Sequence, residues 1–279
     1  MTRLIKLIIS LGLYSCRQLW QWVLQARGKT PPGTCTILYY HDITAQDRHR
    51  FARQMNNFLR LARPIEANFT SALEDGIHYG AITFDDGFQG VIENALPELV
   101  QRHIPATLFI PTAYLGKHAG WISNPDRHDC SGLIVTCEQL RSLPSNLISV
   151  GSHTATHSRL SLLKEEDAKR ELEESREALL LIVGREISLL SFPYGAYNER
   201  TLELARQAGY MRVFGILPGF CKPGEYLARR VLVSPTDWRL EFRLKLLGAY
   251  SWLPLGFAIK RTLKYWIGQI LHPAIAGHH

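Results

Sequence analysis

Short apolar runs rich in β-branched and aromatic residues alternate along the chain with longer segments whose apolar positions recur at three and four. The runs at 36–40 (TILYY), 81–84 (AITF), 106–110 (ATLFI), 147–150 (LISV), 187–192 (ISLLSF), 211–216 and 228–233 predict strands. Helical spacing appears at 51–61, 91–102, 136–142, 161–183 and 199–208. Thr136 suits the N-cap of its helix, and the acids Glu165, Glu166 and Asp167 sit early in the long one, where the helix dipole favours them. Strand and helix in turn predict an α/β fold built on a parallel sheet or barrel. No internal repeat or linker divides it, so a single domain is expected.

The two ends depart from this pattern. Residues 4–24 (LIKLIISLGLYSCRQLWQWVL) place apolar side chains over a broad helical face, with Arg3, Lys6, Ser10, Arg17 and Gln21 together on the other. Arg17, Gln18 and Gln21 interrupt what a bilayer span would need. An interfacial helix, a helix packed on the domain, and a secretory signal or anchor all remain open. Residues 246–259 form a second apolar run, bracketed by Lys245 and Lys260-Arg261 and followed by Tyr265 and Trp266. That mixture fits a membrane interface or a helix pair closing the core. The expected organisation is a basic N-terminal helix (1–30), a central α/β domain (31–238) and a basic apolar extension (239–279).

Charge sharpens the division. The 279 residues carry a formal +7. Residues 1–30 hold five bases and no acid, and residues 239–279 hold six bases against Glu241 alone. The middle is therefore slightly acidic, which argues against nucleic acid as a partner. The five cysteines include no CxxC pair, so zinc on thiolates is not expected. Scattered buried thiols are the simpler reading, with a Cys130–Cys137 bridge as the alternative.

Polar clusters follow the strands directly, where α/β folds build their sites. They are Tyr40-His41-Asp42, Thr83-Phe84-Asp85-Asp86-Gly87, Ser152-His153-Thr154-Ala155-Thr156-His157 and Phe192-Pro193-Tyr194-Gly195. Alone, an Asp-Asp-Gly is a turn, an HxxxH is incidental and FPYG is a turn. Together, each at a strand end, they make a site. Adjacent carboxylates can split roles, one on a metal and one free as a base. If 153–157 is helical, its histidines share a face. Asp86, His153 and His157 then form a His₂-carboxylate set with open positions, suited to Zn²⁺ or another divalent transition metal.

The TFDDG at 83–87, the H-T-x-x-H at 153–157 and the PYG at 193–195, in this order, resemble the polysaccharide deacetylase (NodB-homology) family, carbohydrate esterase family 4. The resemblance extends from about Thr36 to Trp238. It implies a distorted (β/α)₇ barrel, here with amphipathic helical extensions at both ends. It further implies Asp85 as general base for the attacking water, and Asp86, His153 and His157 as metal ligands. The Tyr194 N–H would hold the oxyanion. Zn²⁺ would be the first choice of metal, with Co²⁺ or Ni²⁺ as alternatives. Most members place the acid histidine late in the chain, where His272 stands in a basic tail. The segment after His41 is instead similar to the branch typified by poly-N-acetylglucosamine deacetylases, so His41 is the expected acid. The family's arginine before PYG is missing, and Arg229 or Arg230 could supply its charge. Pro193, Tyr194, Arg230 and Trp238 are expected along the substrate groove.

The implied activity is removal of an N-acetyl group from amino sugars of a bacterial surface polysaccharide. Two alternatives accompany it. One is deacetylation or deformylation of an undecaprenyl-phosphate-linked amino sugar. The other is a catalytically inactive glycan-binding module. The basic apolar ends suggest a protein peripheral to the bacterial inner membrane.

Overall fold

The computed structural model describes residues 2–122 and 132–257. Cys130, His272 and the Lys260–Trp266 stretch lie outside the described residues. All seven expected strands are present. They are β1 (Thr34–Tyr40), β3 (His78–Phe84), β4 (Ala106–Ile110), β5 (Ile148–Ser152), β6 (Leu189–Ser191), β7 (Arg212–Phe214) and the pair β8 (Leu227–Ala228) and β9 (Arg230–Leu232). A two-residue β2 (Arg63–Pro64) adds to β3.

Every ladder is parallel, and the order runs β8-β7-β6-β5-β4-β3-β1-β9. Its two ends are neighbours in the chain, since only Arg229 separates β8 from β9. Ala228 pairs with Phe214 on β7, and Arg230 pairs with Ile37 on β1. One bent segment, 227–232, thus closes the ring. The result is the expected (β/α)₇ barrel, distorted where that strand breaks.

Alternation along the strands decides what fills it. Cys35 and Ile37, Tyr79 and Ala81, Phe109, Leu189, Phe214 and Ala228 form one buried cluster, the interior of the barrel. The intervening Leu38, Tyr40, Ile82, Phe84, Leu108 and Ile110 belong to a second, larger cluster under the outer helices. Toward the C-terminal strand ends the buried inventory becomes polar, with Thr83, Asp85, Ser191 and Arg230. The core therefore presents an apolar plug with a polar layer at one mouth.

The outer helices are α2 (Arg48–Leu61), α3 (Leu96–Gln101), α4 (Cys137–Arg141), α5 (Glu165–Val183), α6 (Glu199–Gln207) and α7 (Arg239–Leu246). Thr136 caps α4 in a reciprocal box with Gln139, and Asn198 caps α6 with Thr201. The helix expected over 91–102 opens with a wide π turn at Val91–Ala95. The one expected from Ser161 begins at Glu165, after a 3₁₀ turn at Leu160–Leu162.

The N-terminal helix, α1 (Arg3–Ala26), docks by its polar side. Arg3 Nε donates to Glu241 (2.7 Å), Trp252 Nε1 donates to Ser10 (2.9 Å), and Arg17 Nη1 donates to the Leu247 carbonyl (2.9 Å). Leu4, Ile8, Leu11, Leu19 and Trp22 face outward. The adjoining C-terminal run turns inward as far as residue 253: Leu246, Ala249, Tyr250 and Leu253 are buried, whereas Leu255 and Phe257 are exposed.

Candidate active site

The expected residues gather at the polar mouth. Asp85 continues the β3 ladder, its N–H donating to the Tyr40 carbonyl at 2.9 Å. At Asp86 the chain turns to a positive φ of 69°, so the two carboxylates leave the strand end in different directions. His153 likewise continues β5, with its N–H on the Ile110 carbonyl (3.0 Å).

The segment from His153 to His157 is a loop rather than the helix the i, i+4 spacing would allow. Thr154 and His157 both have positive φ, 63° and 60°. Glu171 of α5 accepts from the Thr156 N–H (2.8 Å) and hydroxyl (2.6 Å), and the Ser152 hydroxyl accepts from the Thr154 N–H (3.0 Å). These bonds fold the loop back so that both imidazoles still meet Asp86. Tyr194, at φ 58°, is another such residue. Four of the five non-glycine positive-φ positions among the described residues therefore lie at this mouth, the fifth being His103. Strain of that kind persists only where surrounding structure enforces it.

Asp86, His153 and His157 are all buried, with one ligand-type atom from each within 4.8 Å of the others. Asp86 Oδ1 lies 3.3 Å from His153 Nε2 and 3.1 Å from His157 Nε2. The Ser191 carbonyl sits 2.8 Å from His153 Nδ1 and can only accept, so Nδ1 carries the hydrogen. In a neutral ring Nε2 is then a lone pair facing a carboxylate oxygen. Something positive must lie between them, a proton or a metal ion. Two imidazole nitrogens and one carboxylate oxygen are a donor set that fits a divalent transition metal with positions left open.

The three groups also shift one another's proton affinities. Burial would raise the Asp86 carboxyl pKa, but the hydrogen bonds to both histidines outweigh it and hold the group far below the usual range. For His153, burial is outweighed by Asp86 and Asp85, and its pKa rises. For His157, burial prevails and its pKa falls.

Asp85 has a different partner. Arg230 Nη1 and Nη2 donate to its two oxygens at 2.7 and 2.8 Å. The remaining Arg230 donors go to Thr83 Oγ1 (3.1 Å), Ser191 Oγ (2.7 Å) and the Gly215 carbonyl (3.0 Å). All five guanidinium N–H groups are thereby placed. Arg230 is fully buried above the ring of Tyr39, 4.6 Å from its centroid. The charge missing before PYG thus arrives from β9, and Ser191, standing near the missing arginine's place, accepts one of its bonds. This corrects the expectation that Arg230 lines the groove, because a side chain with no exposed surface cannot touch substrate. Burial pushes the Asp85 pKa up, but Arg230 outweighs it, followed by His153 and His41, and the carboxyl stays ionised.

His41 is half-buried just past β1, its ring edge-on to Tyr39 at 5.7 Å. Pro193 is buried at the head of the 193–195 turn. The Tyr194 ring is 42% exposed, edge-on to His157 at 4.7 Å, with the Arg159 guanidinium 3.8 Å above it. Trp238 was expected beside these. It instead carries the Arg3 guanidinium of α1 on its ring at 4.4 Å, so it serves the docking of that helix.

Trp121 was not anticipated. It stacks on His157 with centroids 4.1 Å apart, and Tyr114 meets it edge-on at 4.9 Å. A lone tryptophan in the long loop after β4 was its only signal in the sequence.

A family model described as polysaccharide deacetylase matches residues 74–213. Among curated proteins, YxkH of Bacillus subtilis (strain 168), named for the same family, is 28% identical over 217 residues, 73% of either chain. The poly-beta-1,6-N-acetyl-D-glucosamine N-deacetylase of Staphylococcus aureus (strain MSSA476) is 25% identical over 55% of this chain, a match spanning only 53% of that enzyme. Of solved structures, IcaB from Ammonifex degensii superposes with a TM-score of 0.65 at 22% identity, covering 77% of this chain and 98% of its own. The Streptococcus pyogenes deacetylase PplD gives 0.62 at 18% identity, covering 77% and 99%. At these identities the two structures speak for the fold.

Proposed function

The chain belongs to the polysaccharide deacetylase family, the NodB-homology group of family 4 carbohydrate esterases, and we propose that it removes the N-acetyl group from N-acetylglucosamine units of a bacterial surface polysaccharide. It is a hydrolase of carbon–nitrogen amide bonds. The observation that carries the proposal is the division of labour at 85 and 86: one carboxylate faces two imidazoles, and its neighbour is held ionised by Arg230. The substrate named for the Staphylococcus aureus relative supports the choice of sugar.

Asp86, His153 and His157 would hold the metal, Zn²⁺ by preference. Such an ion polarises an amide carbonyl and makes water more acidic. Asp85 takes a proton from the attacking water, and Arg230 fixes the direction of its oxygens. The Tyr194 N–H donates to the developing oxyanion. His41 gives a proton to the departing nitrogen, and acetate and the free amino sugar leave. Tyr194 and Trp121 form the wall against which the sugar ring is set, and buried Pro193 heads the turn that presents Tyr194.

The test is acetate release from N-acetylglucosamine oligomers by the full chain, with added Zn²⁺, Co²⁺ or Ni²⁺ and with a chelator. Release that depends on metal and disappears in Asp85→Asn, while that variant still binds zinc, is the expected result. Normal activity of Asp85→Asn would overturn the assignment.

A second reading rests on α1. Its exposed apolar side suits a membrane interface, which favours a protein peripheral to the inner membrane and a lipid-linked amino sugar as substrate. No helix among the described residues is long and apolar enough to cross a membrane. Faster turnover on a lipid-linked sugar than on soluble oligomers would select this reading.

A further inference from the structure

Two helices on the flank of the barrel carry facing rows of arginines. On α2, Arg50, Arg53, Asn57 and Arg60 recur at three and four and share one face. On α7, Arg239 and Arg243 stand four apart. Between the helices lies a cleft of about 660 Å³, lined by Arg50, Arg53, Arg60 and Arg239. A hollow of about 280 Å³ shares Arg60 and Arg239 and extends it to Arg243.

Outside the cleft, acids answer the arginines around α2. Arg48 bonds Glu98 at 2.8 Å, and Arg63 pairs with Glu74. Within it the matching stops. Arg50 reaches Asp47 at 3.1 Å, but Arg53, Arg60 and Arg239 have no carboxylate partner among the described residues. Asp237 is the sole acid among the lining residues, and it is already bonded to Lys245 at 2.7 Å. Gln54 is likewise committed, accepting from the Tyr40 hydroxyl and donating to the Ser234 carbonyl. Like charges gathered this way repel unless an anion joins them.

We propose that this cleft binds a phosphate-bearing group, at a site separate from the acid–histidine centre. Three uncompensated guanidiniums match the charge of a phosphate ester or diphosphate. Forks approaching from two helices suit an anion with oxygens on several sides. The group could belong to a free phosphate compound or to a lipid headgroup, and α7 packs against both α2 and α1.

The experiment compares the full chain with the triple variant Arg53→Ala/Arg60→Ala/Arg239→Ala. Inorganic pyrophosphate is titrated calorimetrically. Sedimentation with phosphatidylglycerol–phosphatidylcholine vesicles is measured as the excess over phosphatidylcholine alone. The wild-type protein is expected to bind in at least one arm, and the variant to lose about tenfold or more there. Acetate release from soluble oligomers should be unchanged. Binding confined to pyrophosphate assigns a free phosphate compound, and binding to phosphatidylglycerol assigns a headgroup. No binding in either arm overturns the proposal. So does binding that survives the triple substitution, as pyrophosphate held at a metal centre would.

Discussion

Arg230 shows how narrow the tolerance is at the level of one side chain. Its planar fork uses five donors at once, and an ammonium offers three without that geometry. Arg230→Lys should therefore leave buried acceptors unpaired and the Asp85 carboxylate less firmly aimed. The expected outcome is a fall in kcat of about tenfold or more and a loss of about 2–4 kcal/mol in urea unfolding. Retention of wild-type kcat would show that aiming Asp85 is dispensable. Trp121 acts more indirectly. Buried His157 Nδ1 has no hydrogen-bond partner among the described residues, so beyond the Asp86 contact the ring is held by its neighbours' rings, above all the stack of Trp121. Trp121→Ala should weaken zinc binding by about 10–100-fold, read by competition with a chelating dye. Neither residue stood out locally. The bases at 229 and 230 were visible as candidates, but which one turns inward depends on where the closing strand breaks. Trp121 touches His157 across 36 positions of chain.

At the level of elements, strands were the most legible because each is a short, mostly apolar run rich in β-branched and aromatic residues. The cap of α4 was legible too, since Thr136 acts within four residues. The 153–157 loop was not, because identical spacing serves a helix or a pair of left-handed turns, and Glu171 and Ser152 decide between them. His78, at the start of β3, ties several elements together. Its Nε2 donates to the Leu246 carbonyl at 2.9 Å, and its Nδ1 accepts from Thr34 Oγ1 at 2.8 Å. Burial lowers its pKa from 6.5 to about 4, with the nearby Arg17 adding to the effect and the bond to Leu246 opposing it. The folded state thus holds the ring neutral while the unfolded chain can protonate. Stability from this group is fully present above about pH 6.5 and drains away as pH falls toward 4. At about 1.4 kcal/mol per unit, that is of order 3 kcal/mol. Denaturation between pH 7 and 4 should show it, and His78→Gln should flatten the curve over that window. An unchanged slope would show that the ring is not held neutral.

For the molecule as a whole, α1 is mounted with its hydrogen-bonding side inward and its apolar side out, the reverse of an ordinary surface helix. If that side enters a bilayer interface, each Ile or Trp side chain contributes roughly 1.5–3 kcal/mol. Ile8→Gln/Trp22→Gln should then reduce vesicle partitioning by about tenfold or more with no change in turnover of soluble oligomers. Undiminished partitioning would remove α1 as the contact. The closure of the barrel has a consequence in time. During synthesis Asp86, His153 and His157 leave the ribosome well before residue 230, so the three residues proposed to hold the metal can be assembled while the proposed base, Asp85, still lacks its counter-charge. Only when the last strand slots between the first and the seventh does Arg230 arrive beneath Asp85. A nascent or truncated chain could hold a metal yet remain silent, and the onset of catalysis would itself report that the ring has shut.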